Sequence, residues 1–180
     1  MENNLYKKFK TEVAPKLKAD LKLKNIMQVP KLKSVIINVG VGKFTKEPSY
    51  IENVENTLLR ITGQKPIRTK STKAISNFKM REGQEIGVCV TIRGTKMYQF
   101  LEKFLSVTLP RTRDFRGISD KSFDRQGNYS LGMKENSAFP EIKGGEIEKL
   151  HGLEIVINTT AHNREEGRAL LAALGFPFVK

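Results

Sequence analysis

A chain of 180 residues with 38% apolar side chains and ten Phe carries enough nonpolar material for one folded domain, which excludes a fully disordered polypeptide. Its 32 Lys and Arg against 19 Asp and Glu leave a net charge of +13, and a surplus of that size calls for a polyanionic partner, nucleic acid first. The single cysteine, Cys89, excludes an internal disulfide; without a long apolar run or a basic-then-apolar leader after Met1, the expected setting is cytoplasmic.

Leu5, Phe9, Val13 and Leu17 recur at helical spacing among lysines and predict a first helix over residues 4–20, with Pro15 as a point of kinking. The segment from Val35 to Gly42 is β-branched and ends in glycines, so it predicts a strand running into a turn. Ile51, Val54, Leu58, Leu59 and Ile61 predict a helix from Ser49 to Ile61 that Gly63 terminates. A strand over Pro66 to Thr69 and another over Ile86 to Arg93 flank a basic, serine-containing loop from Lys70 to Gln84, the pattern of a long hairpin. Met97, Phe100, Leu101, Phe104 and Leu105 predict a helix with Thr95 as N-cap and Pro110 as its end.

From Arg111 to Gly145 the chain is rich in Gly, Ser, Asn, Asp and Arg, with short extended patches such as Tyr129 to Met133, and predicts long exposed excursions. A strand over Leu153 to Thr160 and a helix over Arg164 to Leu174, closed by Gly175 and Pro177, complete the order. Strands and helices do not alternate regularly. The order fits a single α+β domain over 1–180, a largely antiparallel sheet with helices on one face and long exposed loops.

The sharpest chemical clue is polar side chains in or beside apolar strands: Asn38, Gln64, Thr91 and Arg93. Strand residues alternate between faces, so Thr91 and Arg93 share a face opposite Val90 and Ile92. Amides and hydroxyls reach ribose hydroxyls and base edges, and Arg93, Lys65 and Arg68 supply phosphate contacts, so together they would form an RNA platform. Composition alone leaves ordinary solvated or capping residues as an equal reading.

Enzymatic readings fail on spacing. Gly40-Val41-Gly42-Lys43 resembles a phosphate-cradling loop that a phosphate-ester transferase would use, but Phe44 stands where Ser or Thr is required. Cys89, His151 and His162 are too few and isolated for a metal set or a Cys-His pair, and read as a buried thiol and surface imidazoles. Glu165 and Glu166 point about 100° apart on a helix and suit its N-terminus better than catalysis. Neither a cofactor nor a catalytic residue is expected. Within the binding class, a general RNA chaperone remains the alternative.

Four blocks, in order, carry a family likeness: Met27-Gln28-Val29-Pro30, Ile61-Thr62-Gly63-Gln64-Lys65-Pro66, the run from Leu109 through Phe123-Asp124 and Tyr129 to Ile142, and Glu165 to Leu171 with Gly175-Phe176-Pro177-Phe178. Over nearly its whole length the chain resembles the bacterial fifth large-subunit ribosomal protein family, which binds 5S rRNA. The resemblance implies that Asn38, Gln64 and Thr91 hold 5S rRNA at the central protuberance, with Met27 and Gln28 near the RNA. It implies that Lys73, Ser76, Asn77, Lys79 and Arg81 contact peptidyl-site tRNA. Arg111, Arg113, Arg116 and Lys134 would face a small-subunit protein at an intersubunit bridge, with large-subunit rRNA as a further partner; pairing of these arginines with Asp114 is the structural alternative. The chain departs from the commoner family pattern at Arg125-Gln126-Gly127, after Ser-Phe-Asp, and at Asn136-Ser137-Ala138.

Overall fold

The structure, a computed structural model, describes residues 4–44, 47–113, 115–142 and 150–179. Asp114 and the end of the excursion toward Gly145 lie outside the described residues. Five strands, β1 (Leu32–Gly40), β2 (Ile67–Lys70), β3 (Glu85–Ile92), β4 (Tyr129–Met133) and β5 (Leu153–Thr159), form an antiparallel sheet in the order β2-β3-β1-β5-β4. The chain divides into two compact units: Ile36–Thr91 with Gly132–Ile155, and the remainder, comprising the segment ending at Val35, Ile92–Leu131 and the segment from Val156 onward.

In the first unit, α3 (Pro48–Thr62) starts on Pro48, whose missing N–H costs nothing in the first turn, and stops where Gly63 adopts φ 64°. Its buried face is Tyr50, Ile51, Val54, Leu58 and Ile61, and the strands bury Ile37, Val39, Val88, Val90 and Ile155. Each such aliphatic side chain stabilises the fold by roughly 1.5–3 kcal/mol on leaving water. His151, expected at the surface, is instead buried, with Nδ1 3.3 Å from Asn136 Nδ2 and its ring edge-on to Tyr50. Polarity alone misplaces it because an imidazole with a polar partner is tolerated inside. Cys89, expected buried, is half-exposed.

In the second unit the first helical run comprises α1 (Asn4–Lys8), a π-helical turn (Phe9–Val13) and α2 (Ala14–Asp20). The later run has the same design: α4 (Gly94–Lys103), a π turn (Phe104–Thr108) and α5 (Leu109–Arg111). In each the π turn directly precedes a proline-bearing segment, and Ala14 and Leu109 donate five residues back, to the carbonyls of Phe9 and Phe104. Widening the turn relieves the clash a proline ring makes with the carbonyl four residues back, so Pro110 sits inside the last turn and the helix ends one residue later, at Arg111. Arg93, not Thr95, occupies the N-cap position of α4. Tyr6 and Phe9 pack on Tyr98, with ring centroids 4.9 and 6.5 Å apart.

The described residues after Arg111, as far as Ile142, are tied down by contacts distant in sequence. Phe123, Tyr129, Phe176 and Phe178 form an aromatic cluster, Ile118 pairs with Phe178 in a parallel bridge, and Tyr129 Oη donates to the Ser119 carbonyl at 2.8 Å. Gly, Ser and Asn signalled loops correctly; the partners that order this segment lie about 50 residues later, beyond any local pattern. The departing Arg125-Gln126-Gly127 turn is equally fixed, because Asp124 Oδ1 accepts from Gln126 N and Asn128 N, and Gly127 takes φ 78°. That turn presses on α6 (Arg164–Ala173), which is capped by Asn163 Oδ1 on Glu166 N at 2.8 Å.

A Cβ at Gly167 would collide with the Gly127 carbonyl oxygen and lie 2.7 Å from its Cα. Gly167→Ala is therefore expected to cost about 1–3 kcal/mol, a Tm loss of roughly 3–10 °C by thermal denaturation. Burial pushes the Tyr98 and Tyr129 phenols up to about 12; Tyr98 also feels Tyr6, and Tyr129 the charge of Asp120. Raised folded-state values mean a stability contribution complete below the ordinary value near 10 and lost as pH climbs through 12. Denaturant unfolding should show stability falling above about pH 10, and absorbance titration should show these two phenols ionising well above the ordinary value.

Candidate RNA interface

Register decides which side chains are available. β2 pairs antiparallel with β3 through Ile67 with Cys89, Arg68 with Val88 and Thr69 with Gly87. Arg68 thus stands on the Val88 side, where its guanidinium bonds Glu55 of α3 at 2.8 and 3.0 Å and Glu85 at 3.2 Å. These links place α3 over that side of the hairpin and leave the Ile67, Thr69, Gly87, Cys89 and Thr91 side uncovered.

Asn38 belongs to the uncovered side as well. A Cβ built on Gly87 would lie 2.6 Å from Thr69 Oγ1 and 3.6 Å from Asn38 Oδ1, so the missing side chain at Gly87 leaves a notch that the Thr69 hydroxyl fills, with the Asn38 amide beside it. Gln64, at the foot of α3, donates from Nε2 to the Thr91 carbonyl at 3.0 Å, which fixes its amide at the end of β3 and leaves its carbonyl oxygen as the acceptor it offers. Thr62 Oγ1 accepts from Gln64 N at 3.2 Å and holds the backbone of that turn. Asn38, Gln64 and Thr91 are all half-buried. Lys65 is exposed beside them in sequence.

The other expected residues fall differently. Arg68 is committed to carboxylates on the covered face; hydrogen bonding to Glu55 is the main cause that holds its guanidinium still more firmly protonated. Arg93 is exposed on extended backbone at φ −137° and, with Met27 and Gln28, belongs to the other unit. Met27, 82% exposed, sits in a 3₁₀ turn (Ile26–Gln28) that Asn25 caps by accepting from Met27 N at 3.1 Å while Gln28 Oε1 accepts from Asn25 N. What reads in sequence as a plain loop is a rigid turn that presents a thioether to solvent. Ile67, 72% exposed on the uncovered face, has no signal in the sequence, because an edge-strand Ile looks like a core residue until register assigns its side.

The hairpin end is a built structure. Ser71 N donates to the Gln84 carbonyl at 2.8 Å, and Ile75 and Met80 exchange backbone hydrogen bonds at 3.1 and 3.2 Å. Between them Ser76–Phe78 form a 3₁₀ turn closed by Lys79 at φ 52°. Lys73, Ser76, Asn77, Lys79 and Arg81 are all exposed, and Phe78, expected as an anchor, stands 72% exposed at the tip. Arg111, Arg113 and Arg116 are exposed in one unit and Lys134 in the other. Gly42–Phe44 is a short 3₁₀ turn rather than the entry to a phosphate-binding helix, and the described residues include no cluster of His, Cys, Asp and Glu able to hold a metal.

Residues 25–81 match the family described as ribosomal protein L5, and residues 85–178 match the ribosomal L5P family C-terminus. The chain is 50% identical over 178 residues to the large ribosomal subunit protein uL5 of Caldanaerobacter subterraneus subsp. tengcongensis, covering 99% of both chains. It is 48% identical over 174 residues to the uL5 protein of Natranaerobius thermophilus, covering 97% of both, and 51% identical over 170 residues to that of Francisella philomiragia, covering 94% of this chain and 95% of the other. With both halves matched and near-complete coverage, the chain belongs to the L5 (uL5) family of ribosomal proteins, structural constituents of the large subunit in the cytoplasm and not enzymes.

Proposed function

We propose that the uncovered face of the hairpin and β1 holds 5S rRNA and attaches it to the central protuberance of the large subunit. The observation that carries this reading is a row of polar side chains on one face: Asn38 and Thr69 at Gly87 and, farther along β3, Thr91 with the Gln64 amide fixed to its carbonyl. Preset amide and hydroxyl groups on a sheet select RNA by shape and 2′-hydroxyl geometry, while lysines and arginines such as Lys65 and Arg93 add salt-dependent affinity. Met27, with Gln28 bracing its turn, supplies an apolar contact to the RNA. Arg68 acts indirectly, locking β2 to α3 so that Ile67 and Thr69 keep their place.

The hairpin end is the proposed tRNA contact. Lys73, Lys79 and Arg81 bring positive charge, Ser76 and Asn77 bring hydrogen-bonding groups, and the internal Ile75–Met80 pairing delivers them on a stiff arm. Arg111, Arg113, Arg116 and Lys134 are proposed as contacts to a small-subunit protein at an intersubunit bridge, and large-subunit rRNA is a further proposed partner. Exposed cations of this kind set orientation and association rate more than affinity.

Replacing Asn38→Ala, Gln64→Ala and Thr91→Val together should weaken 5S rRNA binding on the order of 30- to 1,000-fold at fixed salt, taking about 1 kcal/mol per hydrogen bond. Circular dichroism should remain that of the wild type; wild-type affinity in the folded triple variant would sink the site assignment. Lys73→Ala, Lys79→Ala and Arg81→Ala should lower peptidyl-site tRNA retention in reconstituted ribosomes while 5S rRNA affinity changes by less than about threefold, since these phosphate contacts are remote from the notch.

A further inference from the structure

A polar cleft of about 380 Å³ lies wholly within the unit that contains α6, lined by Lys33, Gln126, Asn128, Asn158, Thr159 and His162 among others. Its wall is rigid. Asn128 Oδ1 accepts from Thr159 N at 3.0 Å, Thr159 Oγ1 donates to the Gly127 carbonyl at 3.0 Å, and Asn158 Nδ2 donates to Ser34 Oγ at 3.1 Å. No acidic residue lines it. The two carboxylates bonded to its rim are turned into their own loops: Asp124 accepts from Gln126 N, Asn128 N and Asn128 Nδ2, and Glu166 from His162 N and Asn163 Nδ2.

What remains pointing to a ligand is a specific set. Among the described residues the Lys33 ammonium forms no ion pair, and the Gln126 amide and His162 imidazole carry no hydrogen bond. Asn158 donates one N–H to Ser34, which orients its amide and leaves its carbonyl oxygen as an acceptor. A cation with two further hydrogen-bonding groups suits a phosphodiester, and an adjacent acceptor suits a ribose 2′-hydroxyl. Apart from the imidazole the lining offers no ring on which a base would stack, and the volume admits a single nucleotide unit. We propose that this cleft is a second RNA seat, separate from the Asn38 notch, that takes one sugar–phosphate unit of folded rRNA. It rests on the reading of the chain as an rRNA binder, but not on the notch.

The test uses the full chain and intact 5S rRNA. Lys33→Ala, Gln126→Ala and His162→Ala together should weaken binding on the order of 10-fold and make the salt dependence shallower by about 0.7–0.9 in the slope of log K on log salt, the loss of one phosphate contact. Backbone amide signals of Gln126, Asn128 and residues 158–162 should shift on adding 5S rRNA and stay put on adding inorganic phosphate at the same concentration. Unchanged affinity and slope, or shifts produced by phosphate and not by the RNA, would overturn the proposal. The Asn38, Gln64 and Thr91 variant run alongside separates the two sites: loss of binding there with none in the cleft variant defeats the cleft alone, and the reverse defeats the notch alone.

Discussion

The polar face this molecule presents depends on a sheet buried from one side. In β3, Val88, Val90 and Ile92 are sealed from water while Cys89 and Thr91 remain half-exposed; in β1, Ile37 and Val39 are sealed while Ile36 and Asn38 are not. A residue slip in either strand would exchange these sets, exposing valines and burying amides, at a cost of several kcal/mol for the apolar side chains alone. The same burial that stabilises the fold therefore fixes the polar face. Arg68 reinforces the choice chemically, since its two carboxylate partners, Glu55 and Glu85, both keep it on the covered side of its strand.

Positioning by restraint recurs in the other exposed features. Met27 stands on a capped turn, the basic hairpin end is cross-braced by Ile75 and Met80, and the Asp124 turn is held by its own carboxylate against α6. None of these segments has a large core of its own. Each is fixed by hydrogen bonds within a few residues, so its side chains are presented in a set geometry before any partner arrives, which lowers the ordering cost of binding.

The helices, the hairpin and the sheet were legible because their signals are local: periodicities of 3.6 and 2, Pro48 at a helix start, Gly63 at a helix end. Asn38 and Thr91 stand out in the sequence for a related reason, as polar residues in apolar strands, whereas Gln64 lies in the turn after α3 and only the family resemblance singles it out. Asn158 breaks the run Ile155-Val156-Ile157 in the same way and would have pointed to the cleft. Cross-strand register was not legible, and it alone reveals that Ile67 faces outward and Arg68 inward. Nor were the π turns, in which a proline signals a helix end to local reasoning but is absorbed by a wider turn. The order of the segment after Arg111 comes from Phe176 and Phe178 at the far end of the chain, a contact no local window contains.

On the proposed function, a preformed polar face selects its RNA by shape, with positive charge adding only strength. Competition binding of the intact protein between 5S rRNA and an unrelated structured RNA of the same length, at one moderate salt concentration, tests it most directly. A preference for 5S rRNA of at least about 100-fold, or roughly 2.7 kcal/mol, is the predicted result. Equal binding of the two RNAs would contradict it and make charge, not the face, the basis of recognition.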